Sequence, residues 1–422
     1  MEHYDILVAG AGVSGICAAI QAGRLLGNNK VCLVEKNGLT GGTATVAGVN
    51  YPGIFHAWGK QVIKGIGWEL IEKTYEAWGR TIPDHYYSND DSIPHWKMHV
   101  RIDAMLFAAI TDQELADAGV KLKLHTMPGK VQFNGDHYVV TLCGKDGLYD
   151  VKANYLIDCT GDANLAFLAG AKLNTPEVCQ PGTISCYAIG YEPATLDWKE
   201  IETNFYKEVE NGNLQLDDFG WGKAFSRGFI GSRGNNATHI NDINAFNSEN
   251  RTKIELAGRA CLLRIFKFLK KQKGFENLEF KPLGGECGVR ETRTIQGLYE
   301  ITVEDYVKAV EFEDAICHSF YPIDLHDKEK GLDFKKLDKG KVPQVPLRSL
   351  IPKNIPQFLA AGRIISSDRL ANSALRVQAT CMATGQAAAV AATLAIKTKT
   401  QPQKLPLQDI KNTLRQFNAI VP

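Results

Sequence analysis

The sequence predicts an α/β fold: a Rossmann-like dinucleotide-binding domain, discontinuous in the chain, beside a second α+β domain. Three observations predict it. A short apolar strand, Asp5-Ile-Leu-Val-Ala9, runs straight into a G-x-G-x-x-G turn made by Gly10, Gly12 and Gly15. A second strand, Lys30-Val-Cys-Leu-Val-Glu35, ends in an acid twenty residues past Gly15. Two further apolar strands, far apart in the chain, end in small residues at Thr160-Gly-Asp162 and Gly362-Arg363.

Each element has a physical reason. Gly10 allows the tight turn, Gly12 lets backbone approach a pyrophosphate, and Gly15 lets helix pack on strand. Ser14 sits in the same turn. The helix that follows presents unpaired N–H groups and a positive dipole end to phosphates. Glu35 suits ribose hydroxyls and repels a 2′-phosphate, so NADP is disfavoured there. Lys36 and the loop Asn37-Gly-Leu-Thr-Gly-Gly-Thr43 come next. A flavin nucleotide is longer than the first turn can cover. Gly41, Gly42 and Thr43 supply a second loop for its pyrophosphate and ribityl chain. Thr160, Gly161 and Asp162 form a third strand end where backbone passes close to the nucleotide. After Gly362 and Arg363 comes a small-residue helix, Thr380 to Ala392, carrying Gly385 and Gln386. Its start aims N–H groups at the electron-rich edge of a flavin. The expected cofactor is FAD rather than NAD.

The chain resembles the FAD-dependent oxidoreductases of the two-dinucleotide-fold flavoprotein superfamily, and more distantly the fumarate reductase flavoprotein subunits. The motifs that carry this run almost end to end. They include Val8–Gly15, Gly41-Gly42, Ile157–Asp162, Gly288–Gly297, Tyr321–His326, Val345–Pro352 and Ala361–Gly-Arg363 through Ala392. The resemblance implies a glutathione-reductase-like FAD domain and bound FAD, with NAD(P) at most a transient partner.

The expected organisation is a first nucleotide segment at 1–175, a substrate domain at 176–340, a returning nucleotide segment at 341–396, and a C-terminal helix at 397–422. Strand patterns at 116–125 and 130–143 suggest a small β-meander, with Val131 counted among the cofactor contacts. Ser248 to Lys273 reads as one helix whose basic end is a solvated face.

Bulk composition adds limits. The chain has 422 residues, 44% hydrophobic and 23% charged, with a formal net charge of +1. That balance gives no pull toward nucleic acid or acidic membranes. No apolar run reaches the ~18 residues of a membrane span, and the N-terminus lacks signal-peptide features. Ten cysteines show no C-x-x-C and no zinc spacing, so no metal is expected. Cys17, Cys32, Cys159 and Cys381 lie in apolar runs, as buried thiols do. A reducing cytoplasm is the expected location.

Candidate chemistry falls in three stretches. In Arg290-Glu-Thr-Arg293, an arginine suits an anionic substrate, or else braces the domains. A helix or turn would put Arg290 and Arg293 on one face, with Glu291 pairing one of them. In Tyr321-Pro-Ile-Asp-Leu-His326, extended backbone sets Asp324 and His326 on one side, where Asp324 can orient His326 for acid–base work. In Asp368–Arg376, Arg376 is a substrate or flavin contact or a loop brace. The resembling proteins often carry a histidine near Asp368-Arg369, and this chain has none. His56 is expected to be a loop histidine near the cofactor, and Cys287 stands without a nearby partner thiol. The expected function is hydride transfer between a small organic substrate and flavin N5, as a dehydrogenase or reductase. A flavin monooxygenase or halogenase, and a non-catalytic FAD-binding module, are the alternatives. The electron partner, the substrate and any homo-oligomer stay open.

Overall fold

A computed structural model describes residues 1–422 apart from 89, 91, 92, 94, 223 and 328–330. The chain opens with β1 (Glu2–Ala9), helix α1 (Val13–Leu26) and β2 (Val31–Val34). Helices α2 (Ile66–Ala77) and α3 (Ala104–Asp117) follow, the latter capped by Asp103, which accepts from the Met105 and Leu106 amides. Then come β3 (Lys121–Lys123), β4 (Met127–Phe133), β5 (Tyr138–Gly144) and the long β6 (Gly147–Asp158).

These strands form one sheet in the order β3-β2-β1-β6-β5-β4. Its first four strands are parallel and the β4–β5–β6 meander is antiparallel. β1 and β2 are apolar on both faces because both are covered: Ile6, Val8, Val31 and Leu33 pack in the cluster of α1, and Leu7, Ala9, Cys32 and Val34 in a second cluster with the meander strands. β6 serves two partners on one edge. Its first half pairs with β5, and its second half receives the returning strand from residues 358–360.

A second apolar cluster gathers residues 186 to 289. It contains β7 (Cys186–Ile189), α4 (Trp198–Glu210), β8 (Gly234–Asn235), α5 (Ser248–Leu269) and β9 (Glu279–Pro282). β7 is flanked by β8 and β9, both antiparallel. Phe205, Phe219, Phe229, Phe268 and Phe275 fill this core. α5 ends at Leu269, four residues before the end expected from its pattern. Lys270 turns away and its Nζ donates to the Glu276 carbonyl at 2.6 Å.

The second core closes earlier than the expected boundary near 340. Ile301, Tyr306, Ile316, Tyr321 and Ile323 already pack in the same cluster as α1. This stretch leads into β10 (Ile323–Asp327), paired with β11 (Gly331–Lys335). The returning strand β12 (Phe358–Ala360) then delivers α6 (Arg369–Leu375), α7 (Gln378–Thr398) and α8 (Leu407–Gln416).

α7 explains its own composition. It packs along α1, and a Cβ at Gly385 would lie 2.0 Å from the Ser14 carbonyl oxygen. Only small residues allow two helices to approach so closely. α7 is also long and apolar enough to cross a membrane, but 89% of that stretch is buried inside the protein. It is the central core helix.

Candidate active site

The nucleotide end is built by the three glycines in different ways. A Cβ on Gly10 would meet the Cys159 carbonyl oxygen at 2.6 Å, and one on Gly15 would meet the Gly10 oxygen at 1.8 Å. These two are needed for packing. A Cβ on Gly12 would meet nothing within 4 Å. Its face is the open one, where a phosphate could lie against backbone. Gly12 is also the N-cap of α1 and offers no side-chain cap, so the first-turn N–H groups of α1 point outward without intrahelical partners.

Glu35 is buried and accepts from the Ala11 amide at 2.7 Å and the Asn37 amide at 2.9 Å. Burial pushes its pKa up while these two amides pull it down. Gly41 donates its N–H to the Ala11 carbonyl, which ties the second glycine loop to the first. A Cβ on Gly42 would sit 2.8 Å from the Gly12 Cα. Thr43 follows in the same short turn and its carbonyl accepts from the Val49 amide. Lys36 reaches Glu286 of the second core at 2.5 Å.

Several residues expected at the cofactor are engaged by the protein itself. The Thr160 hydroxyl donates to Asp158 at 2.7 Å. Arg363 donates to the Gly161 carbonyl at 2.7 Å, to Asp162 at 2.8 Å and to the Val289 carbonyl. It therefore clamps the third strand end to the second core. Gly362 takes a φ of +81° and donates its N–H to the Thr384 hydroxyl at 3.1 Å. Val131 lies in β4 with its side chain in the meander core. Gln386 turns toward α1 and α2, accepting from the Ile66 amide at 3.2 Å and donating to Gln21 at 2.9 Å. Its side chain serves helix packing in the interior. α7 begins after Val377 with no side-chain cap, a second free helix N-terminus.

Beside that start lies a buried charged cluster. Arg376 is the last residue of the turn before α7, and one of its terminal nitrogens lies 3.4 Å from Asp324 Oδ2 and 3.2 Å from the Asp324 carbonyl. Arg290 is buried and donates to the Pro181 carbonyl at 2.8 Å. Burial, with Arg376 nearby, lowers its pKa to about 10. Gln180 accepts from the His326 amide at 3.2 Å. Arg376 Nε and Gln180 Nε2 are buried donors without a partner among the described residues.

β10 holds Asp324 and His326 on one side, with His326 Nε2 3.5 Å from Asp324 Oδ2. On its other side, His326 Nδ1 lies 2.8 Å from His239 Nε2. Sequence reasoning missed His239, because nothing in Ala237-Thr-His-Ile240 marks it. Trp221 stands edge-on to His326 at 5.5 Å. Burial lowers the pKa of His326 to about 4 and that of His239 to about 2. Both rings are neutral at pH 7. Asp324 is held well below the usual carboxylate range by His326, Arg376 and Arg290, which outweigh its burial.

The remaining expectations are redistributed. Residues 289–293 form no helix or turn, and Arg290 and Arg293 reach different partners. Glu291 pairs with neither; it binds Arg369 at 3.0 Å and accepts from the Gln180 amide at 2.7 Å. Arg293 braces the domains through the Asp162 carbonyl and Asn164, stacked near Phe167. Asp368 caps α6 through the Ala371 amide at 2.7 Å. Cys287 is buried, its thiol donating to the Ile254 carbonyl at 3.4 Å, and its pKa is raised to about 12 by burial. Burial of this kind disfavours the reactive thiolate. His56 is enclosed by Trp68, Tyr86 and Tyr87, and neither ring nitrogen is hydrogen-bonded to a described residue.

A family model described as FAD dependent oxidoreductase matches residues 5–414. The chain belongs to this family. FAD is its cofactor, and the open face of Gly12, the free start of α1 and the buried Glu35 fit it. No curated protein matches the chain. Among solved structures it is similar to OxyS, an anhydrotetracycline hydroxylase from Streptomyces rimosus, at 13% identity, covering 98% of this chain and 66% of that one, with a TM-score of 0.42. It is similar to a geranylgeranyl bacteriochlorophyll reductase-like protein from Thermoplasma acidophilum at 12% identity, covering 99% and 83%, with a TM-score of 0.43. The match to CabE, an aromatic hydroxylase from angucycline biosynthesis, spans 45% of this chain and only 37% of CabE, at 14% identity and a TM-score of 0.33. The likeness to fumarate reductase flavoprotein subunits stays an expectation.

Proposed function

We propose that this FAD-dependent oxidoreductase exchanges a hydride with a small anionic organic substrate, as a dehydrogenase or reductase. One observation carries the reading. Among the described residues, the buried Arg290 and the half-buried Arg376 face a single carboxylate, Asp324, and Arg376 Nε and Gln180 Nε2 have no hydrogen-bond partner. Two cations, one buried and one half-buried, against one anion leave a positive charge that a substrate carboxylate would neutralise. Bidentate geometry favours arginine for that task.

Bound FAD supplies the two-electron chemistry, with hydride exchange at N5. The chain's own residues do the rest. Gly12, Glu35, the Gly41-Gly42 loop and the starts of α1 and α7 would hold the cofactor. Arg290 and Arg376 anchor the substrate anion. The neutral His239–His326 pair holds or accepts the substrate proton. The second core, residues 186–289, covers the site as its substrate domain. Ten free cysteines, nine of them buried, suit a reducing cytoplasm.

An anaerobic visible spectrum of the purified protein tests this. A yellow protein that stays oxidised with NADH or NADPH, and bleaches with a small carboxylate from a panel, is the expected result. Rapid bleaching by a nicotinamide moves a reductase or monooxygenase forward. A colourless protein that cannot be reconstituted with FAD defeats the reading.

A further inference from the structure

His326 has no ring nitrogen left for a substrate. Its Nε2 faces Asp324 at 3.5 Å and its Nδ1 faces His239 at 2.8 Å. An ionised carboxylate only accepts, so the proton between Asp324 and His326 sits on His326 Nε2. His326 Nδ1 is then bare and accepts from the Nε2–H of His239. This fixes both tautomers and leaves His239 Nδ1 as the basic end of the row. That atom makes no hydrogen bond to a described residue. Trp221 lies over the pair, stacked at 6.5 Å from His239 and edge-on to His326. Among the described residues, the other charged or titratable groups around the pair are Arg290, Arg376 and Tyr321.

We infer that His239 is the residue that exchanges a proton with the substrate, and that His326 and Asp324 form a directed relay behind it. The inference rests on the anion-site reading above. A proton taken from a substrate O–H or N–H enters at His239 Nδ1. The Nε2 proton of His239 passes to His326 Nδ1. His326 becomes an imidazolium held by Asp324, which stays ionised. The reverse sequence delivers a proton to a substrate being reduced. His239 is thus the catalytic residue, and His326 and Asp324 are positioning residues.

The test uses the FAD-loaded protein labelled with ¹⁵N-histidine, with acetate as the anion probe. In the unmodified protein at pH 7, NMR should show His326 protonated on Nε2 and His239 protonated on Nε2, each with a bare Nδ1. Acetate should move the His239 Nδ1 resonance more than either His326 resonance. The opposite tautomer at either ring overturns the relay. A bound acetate that leaves His239 unmoved overturns its place at the substrate. Failure of acetate to bind counts against the anion site, while the tautomers still decide the relay. With a substrate from the reduction panel, His239→Ala should slow flavin reduction about 100-fold or more at little changed KM, and added imidazole should restore part of the rate. His326→Ala should not be rescued. Rescue of His326→Ala with an unaffected His239→Ala overturns the assignment.

Discussion

At the scale of single residues, Asp324 and Arg376 do opposite things to stability and binding. Among the described residues, Asp324 is the carboxylate that faces both the buried Arg290 and the half-buried Arg376 guanidinium. Asp324→Asn leaves both without a counter-charge, and the expected loss is about 3–5 kcal/mol of stability, read by chemical denaturation. Arg376→Ala removes one of two like charges instead. Its melting temperature should hold or rise, while affinity for the substrate anion falls about 10- to 100-fold, the worth of a charged hydrogen bond. Unchanged binding would sink the anchoring role. The histidines set the pH response. His56, His239 and His326 are held neutral, with pKa values near 4, 2 and 4, below the ordinary value of about 6.5. The unfolded chain therefore binds more protons than the folded one below about pH 6.5. Their contribution is intact above that pH and is lost as pH falls toward 4. Asp324, with its depressed pKa, adds a later loss below its unfolded value of about 3.9. For His56 the shift has one cause, burial among rings. His56→Phe should keep the fold and narrow the gap between melting temperatures at pH 7.5 and pH 5. An unchanged gap would show that His56 is not a source of acid sensitivity.

At the scale of elements, the packing of α1 separates two kinds of glycine. Gly12→Ala has open space for its methyl group, and glycine and alanine differ modestly at an N-cap. The apoprotein should melt within about 1 kcal/mol of the parent, yet lose FAD, because the methyl group occupies the phosphate's place. Gly15→Ala and Gly385→Ala drive a methyl group into backbone at 1.8 and 2.0 Å. Each should cost about 1–3 kcal/mol or more through overpacking. Denaturation of the apoproteins beside FAD titration distinguishes the two classes, and similar losses in all three would defeat the distinction. The same elements show what the sequence makes legible. The strand–glycine–helix unit and β6 were readable because local rules govern them: a buried parallel strand must be apolar on both faces, and a close turn needs glycine. Asp324 beside His326 was readable because a strand repeats every two residues. His239 was not, since it meets His326 from 87 residues away. The divergence of Arg290 and Arg293 was missed because the helix-or-turn premise was wrong. Gln386 was misplaced because a uniformly small-residue helix does not say which of its faces meets α1.

At the scale of the molecule, the nucleotide loops and the second core share backbone as well as charge. Gly285 donates its N–H to the Val46 carbonyl at 2.7 Å, and a Cβ on Gly284 would lie 2.4 Å from the Ala47 carbonyl carbon. Glu286 holds Lys36 at 2.5 Å and Arg251 of α5 at 3.0 Å. Arg363 reaches from the returning strand to the Gly161 and Val289 carbonyls. A ligand that orders residues 41–49 therefore acts on both cores. FAD binds the folded state alone, so at 100 times its Kd it should add about 2.7 kcal/mol. Because these contacts join the cores, that gain should appear in one shared transition. Calorimetry should show a single melting peak in the apoprotein that moves upward intact with FAD. Lys36→Ala with Glu286→Ala removes the charged link but leaves the Gly285–Val46 hydrogen bond, so the double variant should still melt in one step, with a smaller FAD shift. Two peaks in the parent, of which FAD moves only one, would mean that the second core folds independently and that the site between them is held by the substrate rather than by the chain.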